Sequence, residues 1–159
     1  MSHTLRIKPL KQTEGFCGPT CLKMIFSYFG VEASANAIAK AAGSTRRYGT
    51  PLAGLKKAAK AYGFSLTYKD HSSLKDIRHF LDKNIPVIVA WFYETEGHYS
   101  VVTKLDAKKI YMVDPYEGKE ISMPTDTFMQ IWFDFPYPYP KTKSEIRLRR
   151  LIVVQPAKR

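Results

Sequence analysis

The chain has 159 residues, which is enough for one domain with a single hydrophobic core. Its 45% apolar and 25% charged residues are typical of a folded soluble protein and exclude a disordered chain. The longest apolar stretch, residues 86–93, is too short to cross a bilayer, and residues 1–6 lack the apolar core of a secretory signal. We therefore expect a cytoplasmic protein with no membrane span, formed by a single domain over residues 1–159.

The net charge of +11 is concentrated at the C-terminal end of the chain. Residues 141–159 contain seven Lys or Arg and one acidic residue, so this segment carries +6 of the total. A basic segment attracts nucleic acids and anionic membranes without specificity. Because no nucleic-acid-binding motif accompanies it, we interpret the segment as a final strand with a solvated tail, and we expect no nucleic-acid partner.

Helical periodicity dominates the first half of the chain, and strand patterns dominate the second. In chain order, the sequence predicts helices at 17–29, 34–42 and 50–62, a strand at 64–69, a helix at 73–84, strands at 87–93, 98–103 and 109–113, a helix at 125–132 and a strand at 148–154. A turn at residues 106–108 makes the two strands beside it an antiparallel hairpin. Prolines in residues 135–140 exclude a helix or a central strand there. Helices that precede an antiparallel sheet predict the α+β class.

The position of Cys17 favours catalysis. Pro19 is tolerated only in the first turn of a helix, so the helix must begin at or beside Cys17. The free N–H groups and the dipole at a helix N-terminus stabilise a thiolate, and the N–H of Cys17 can face the oxygen of a bound carbonyl. Gly18 leaves room for another part of the backbone to approach. A buried structural thiol is the alternative interpretation.

Cys21 lies one helical turn after Cys17 and continues the apolar stripe of the helix. We expect it to pack in the core, while a resolving thiol and a metal ligand remain alternatives. Two cysteines are too few for a disulfide framework or for a structural zinc site with four ligands.

A catalytic thiolate needs a base, and His98 is the best-placed histidine. It begins a predicted strand directly after Gly97. The turn at residues 106–108 brings Asp114 to within a few residues of the position opposite His98, where a carboxylate can orient the imidazole. The other histidines fall in the N-terminus, in a loop and on a polar helix face: His3, His71 and His79. Taken singly, His98 and Asp114 are also compatible with a core histidine and a turn residue.

Gln12 stands five positions before Cys17. Its side-chain amide can donate a hydrogen bond to a developing oxyanion. Outside such a site it would be an ordinary polar loop residue.

Several segments together resemble a known family. Residues 12–22, QTEGFCGPTCL, resemble the nucleophile motif of the bacteriocin-processing, double-glycine-leader cysteine peptidases, which belong to the papain-like superfamily. Other segments resemble the later motifs of this family in the same order: 49–63, 85–89, 98–102, 113–115 and 128–132. The resemblance covers residues 9–133. Three features depart from the family pattern. Gln12 lies five rather than six positions before the cysteine, the sequence contains no membrane domain or ATPase of an exporter, and the basic segment after residue 140 has no family counterpart that we can name.

The resemblance implies a papain-like fold and hydrolysis of a peptide bond through a thioester acyl-enzyme. It implies that Cys17 is the nucleophile, His98 the general base and acid, Asp114 the residue that orients His98, and Gln12 an oxyanion donor. It implies no metal or organic cofactor. The implied partners are a peptide or protein substrate and a separately encoded membrane exporter, because many family members form the front part of an ABC exporter.

Three other functions remain as alternatives. A peptide-binding module of the same fold would need the cleft but not the nucleophile. A transpeptidase-type acyl transferase similar to phytochelatin synthase would use the same residues with an amine or a thiol as acceptor. A basic nucleic-acid-binding protein has the least support. The sequence predicts neither the cleavage site nor the oligomeric state.

Overall fold

A computed structural model describes residues 4–158, so His3 lies outside the described residues. Within this range the chain forms five α-helices, which are α1 (Cys17–Tyr28), α2 (Ala35–Ala42), α3 (Leu52–Ala61), α4 (Leu74–Asp82) and α5 (Thr125–Ile131). It also forms eight strands, which are β1 (Phe64–Lys69), β2 (Val87–Tyr93), β3 (Glu96–Leu105), β4 (Lys109–Asp114), β5 (Lys119–Pro124), β6 (Phe133–Asp134), β7 (Arg147–Leu148) and β8 (Arg150–Pro156). All five predicted helices and all five predicted strands are present, with ends that differ by a few residues.

Six strands form one antiparallel sheet in the order β1-β8-β2-β3-β4-β5. Helices α1, α2 and α3 pack on one another, and α1 packs on β3. The core lies between these layers. Residues 87–91 of β2 are almost completely buried, because β2 is an interior strand and both faces of the sheet are covered along it. This arrangement confirms the predicted α+β class with N-terminal helices packed on an antiparallel sheet.

Capping residues define the N-termini of two of the helices. Ser34 accepts a hydrogen bond from the N–H of Ala37 at the start of α2. Ser73 and Asp76 form a capping box at the start of α4. At α3, Pro51 occupies the N-cap position, so the helix begins at Leu52, two residues later than predicted.

The C-terminal segment contributes a central strand. β8 lies between β1 and β2, and residues 151–154 are buried. Arg150 forms a bidentate ion pair with Asp70, with N–O distances of 2.7 and 2.9 Å. The final strand predicted at residues 148–154 is therefore present as β8, and residues 156–158 at its end are exposed.

Glycine permits close packing between α2 and α3. A Cβ atom on Gly54 would lie 2.1 Å from the carbonyl oxygen of Ala42. A Cβ atom on Gly18 in α1 would lie 2.9 Å from a methyl group of Leu55 in α3. The atoms that approach Gly18 belong to side chains rather than to the backbone, which corrects our expectation. These close contacts join α1 and α2 to α3, and α1 also contacts β3 of the sheet.

Candidate active site

Cys17 is the first residue of α1, and its side chain is half-buried. Phe16 precedes the helix and offers no side-chain hydrogen bond to the first turn. Cys17 lines a cleft with a volume of about 600 Å³. The thiol therefore lies at a helix N-terminus, as the sequence predicts, and beside an open cleft.

His98 and Asp114 lie in contact in the protein interior. His98 is 6% exposed and Asp114 is 0% exposed. His98 Nε2 is 2.5 Å from Asp114 Oδ1, so the other ring nitrogen, Nδ1, is free to interact with Cys17. The predicted proximity of His98 and Asp114 is confirmed.

The charges around His98 favour its protonated form. Burial lowers the pKa of His98, but the hydrogen bond to Asp114 and the interactions with Cys17 outweigh it and raise this pKa to about 9. For Asp114, burial raises the pKa, but hydrogen bonds from His98, Ser100 and the N–H of Glu117 lower it below its ordinary value. The pair is therefore arranged as an imidazolium and a carboxylate at neutral pH.

Ser100 also contacts Asp114, and our sequence analysis did not identify it. Its hydroxyl donates to Asp114 Oδ1 at 2.7 Å, and it accepts a hydrogen bond from Trp91 Nε1 at 2.9 Å. Alternation along a strand places residues 98 and 100 on the same face, so the sequence contained a signal for Ser100. The position of Trp91 beside this group could be recognised only from the register of β2 and β3, in which Trp91 pairs with His98.

Aromatic rings surround the imidazole of His98. The ring centroids of Trp91, Tyr93 and Tyr116 lie 5.8, 5.2 and 6.3 Å from that of His98. The hydroxyl of Tyr93 donates to Glu117 at 2.6 Å, which fixes the ring beside His98. These rings limit the access of water to the hydrogen bond between His98 and Asp114.

Gln12 lines the same cleft as Cys17. Its backbone N–H donates to the carbonyl of Pro115 at 2.7 Å, which ties it to the residue after Asp114. Among the described residues, its side-chain Oε1 is buried without a hydrogen-bond partner. The structure thus brings Gln12, Cys17, His98 and Asp114 to one region.

Cys21 is fully buried in the core, as the sequence predicts. Its thiol donates weakly to the carbonyl of Tyr99, with a distance of 3.5 Å. Burial raises the pKa of the Cys21 thiol well above its ordinary value, and the charges of Cys17 and Asp114 add to this effect. The core environment therefore keeps Cys21 as a neutral thiol.

Opposite charges line the cleft. Arg46 and Arg47 lie in the segment before α3, whereas Glu94 and Glu96 lie at the tip of the β2–β3 hairpin. All four side chains are exposed. A bound peptide would therefore meet basic and acidic groups in different parts of the cleft.

Comparison with known proteins decides the family. The sequence model of the Peptidase C39 family matches residues 8–135. The chain belongs to the Peptidase C39 family. The resemblance seen in the sequence motifs is thereby confirmed. Within residues 4–158, no helix is long and apolar enough to span a membrane.

Three similar proteins illustrate the range of relatives. An uncharacterized protein of Methanothermobacter marburgensis is 30% identical over 128 residues, which cover 77% of this chain and 81% of that protein. The lactococcin-G-processing and transport ATP-binding protein LagD of Lactococcus lactis is 29% identical over 126 residues, which cover 77% of this chain but 17% of LagD.

The third relative is a solved structure, the peptidase domain of Streptococcus ComA, a bi-functional ABC transporter involved in quorum sensing. It is similar with a TM-score of 0.75 and 21% identity, covering 96% of this chain and all of that domain. The family model, in contrast, ends at residue 135, so the basic segment after residue 140 lies outside the family match.

Proposed function

We propose that this protein is a cysteine peptidase that cleaves a peptide bond through Cys17, His98, Asp114 and Gln12. The observation that carries the proposal is that a thiol at the N-terminus of α1 and His98 line one cleft, while Asp114 is buried behind His98 and hydrogen-bonded to it. A peptide-binding module would require the cleft alone. The Peptidase C39 family match supports the same reaction class.

In the proposed first step, the Sγ thiolate of Cys17 attacks the carbonyl carbon of the substrate. The carbonyl oxygen becomes negative and accepts hydrogen bonds from the N–H of Cys17 and the amide N–H of Gln12. The His98 imidazolium donates its Nδ1 proton to the leaving nitrogen. The C–N bond then breaks, the amine product departs, and a thioester to Cys17 remains.

In the second step, water replaces the amine. The now neutral His98 takes a proton from a water molecule, whose oxygen attacks the thioester carbon. Collapse of this intermediate breaks the C–S bond and releases the carboxylic acid product. Cys17 returns to the thiolate and His98 to the imidazolium, while Asp114 holds the ring throughout.

We propose that the substrate is a peptide or protein and that a membrane exporter is the partner. LagD and ComA support this partner, because their names combine processing or a peptidase domain with transport. A cytoplasmic location would place the peptidase on the side where such an exporter collects its cargo.

A peptide-library digestion tests the proposed reaction. The wild type is incubated with a library of cytoplasmic peptides, and products are identified by mass spectrometry, with Cys17→Ala as the matched inactive control. We expect new termini with the wild type alone. Digestion in water labelled with heavy oxygen identifies the group that accepts the acyl chain. Hydrolysis adds the label to the new carboxyl group, whereas transfer to an amine leaves the product unlabelled. Products that also form with Cys17→Ala would overturn the proposal.

A further inference from the structure

Four side chains form a hydrogen-bonded chain behind the cleft. Trp91 Nε1 lies 2.9 Å from Ser100 Oγ, and Ser100 Oγ lies 2.7 Å from Asp114 Oδ1. His98 Nε2 lies 2.5 Å from the same Asp114 oxygen. All four side chains are buried, with exposed fractions of 6% or less. Ser100 and His98 therefore share one carboxylate oxygen in a region shielded from water.

The chemistry of these groups fixes the direction of each hydrogen bond. An indole N–H can only donate, so Ser100 Oγ accepts from Trp91. An ionised carboxylate can only accept, so the hydroxyl proton of Ser100 points to Asp114. By donating to Ser100, Trp91 both orients this hydroxyl and strengthens its bond to Asp114.

Three hydrogen-bond donors share the negative charge of the Asp114 carboxylate. Oδ2 accepts from the N–H of Glu117 at 2.8 Å, whereas Oδ1 accepts from both Ser100 and His98. Each extra donor stabilises the carboxylate and reduces the negative potential that acts on His98. Because the surroundings are dry, this effect is larger than it would be at the surface.

We propose that Ser100, oriented by Trp91, is a positioning residue that limits how tightly His98 holds its proton, so that the imidazolium can release it to the leaving amine. The inference rests on the proposed role of His98 as the general acid. His98 already binds its proton strongly, so a further increase would slow the step in which the C–N bond breaks.

Other titratable groups also face His98 and are kept unchanged in the test. Cys17 approaches from α1, and the rings of Tyr93 and Tyr116 approach from β2 and from the turn after β4. Glu117 lies behind Tyr93, to which it is hydrogen-bonded. None of these groups touches Ser100 through a side-chain hydrogen bond among the described residues.

The direct experiment follows the titration of His98 by NMR in protein with labelled histidine. The His98 signals are assigned by their absence in His98→Ala. In Ser100→Ala we expect the midpoint to move upward by about half a pH unit or more. Trp91→Phe should move it in the same direction by less, and Ser100→Thr, which retains the hydroxyl, should restore the wild-type midpoint.

Thr103→Val is the matched control. Thr103 is also a buried hydroxyl residue of β3, but its hydroxyl faces the carbonyl of Tyr111 rather than Asp114. It should leave the His98 midpoint unchanged. A midpoint in folded Ser100→Ala that stays at the wild-type value or moves downward would overturn the proposal. If Ser100→Ala fails to fold, the His98 midpoint in Trp91→Phe decides instead. An upward shift agrees with the proposal, and an unchanged or lower midpoint overturns it.

Two kinetic readouts separate this inference from the proposed function. With a peptide substrate from the library digestion, Ser100→Ala should lower kcat about threefold with little change in KM, because proton donation is affected and binding is not. Alkylation of Cys17 by iodoacetamide needs no proton donation and should be unchanged. A normal kcat in Ser100→Ala overturns the inference alone. An alkylation rate of Cys17 that is the same in wild type and in His98→Ala overturns the proposed function.

Discussion

His98 and Asp114 are hydrogen-bonded although they are not directly opposite each other in the sheet. Val101 of β3 pairs with Val113 of β4, so Asp114 is placed beside residue 100, and His98 lies two positions away on the same face. The diagonal offset leaves room for Ser100 to bind the same carboxylate oxygen. The pair thus depends on the register of one hairpin.

The raised pKa of His98 predicts the alkaline limit of activity. Below about pH 9 the imidazolium is present and can donate its proton, whereas above that pH it becomes neutral. We therefore expect kcat/KM for peptide cleavage to fall as the pH rises above about 9. A pH profile with a peptide from the library digestion measures this. Activity that stays constant well above this midpoint would show that proton donation by His98 does not limit the reaction.

Local sequence signals predicted the elements that carry the site. Pro19 and Gly30 define where α1 begins and ends, and the turn at residues 106–108 defines the hairpin of β3 and β4. Because these signals act over a few residues, they could be recognised without the fold. The same local register brought His98 and Asp114 together.

Long-range pairings were the part that could not be predicted. The insertion of β8 between β1 and β2 pairs residues that lie 60 to 92 positions apart in the chain, and no local pattern encodes it. β5 was missed because its residues lie at an exposed edge and lack a buried apolar run. The two-residue strands β6 and β7 are too short to produce a pattern.

Gln12→Ala tests the oxyanion contribution. Loss of one donor to a developing oxyanion typically costs about a hundredfold or more in kcat. We expect that loss in peptide cleavage, while the alkylation rate of Cys17 by iodoacetamide stays the same, because alkylation forms no oxyanion. Lys11→Ala, at the exposed neighbouring position, is the control and should keep full activity. Equal activity of Gln12→Ala and Lys11→Ala would exclude Gln12 from the reaction.

Cys21→Ser tests the assignment of Cys21 to the core. A serine hydroxyl can still donate to the carbonyl of Tyr99, so the fold should survive with a loss of stability of about 1 kcal/mol. Most of the peptidase activity should remain, because the thiol of Cys21 is buried and neutral. Thermal unfolding and peptide cleavage measure the two effects. A folded but inactive Cys21→Ser protein would contradict the packing role.

Gly54→Ala tests the contact that holds α2 against α3. The new Cβ atom would lie 2.1 Å from the carbonyl oxygen of Ala42, and neither backbone can yield without moving a helix. We expect a loss in the free energy of unfolding of about 3 kcal/mol, measured by urea denaturation. Lys57→Ala, an exposed position on the same helix, should change it by less than about 0.5 kcal/mol. Similar values for both variants would argue against the tight contact.

Alkylation of the two cysteines by iodoacetamide, followed by mass spectrometry over a range of pH in wild type and His98→Ala, tests the central claim most directly. A thiolate paired with the His98 imidazolium predicts fast reaction of Cys17 at neutral and mildly acidic pH, no reaction of buried Cys21, and a large loss of Cys17 reactivity in His98→Ala. A Cys17 thiol that is inert, or that reacts equally fast with and without His98, would contradict the peptidase mechanism.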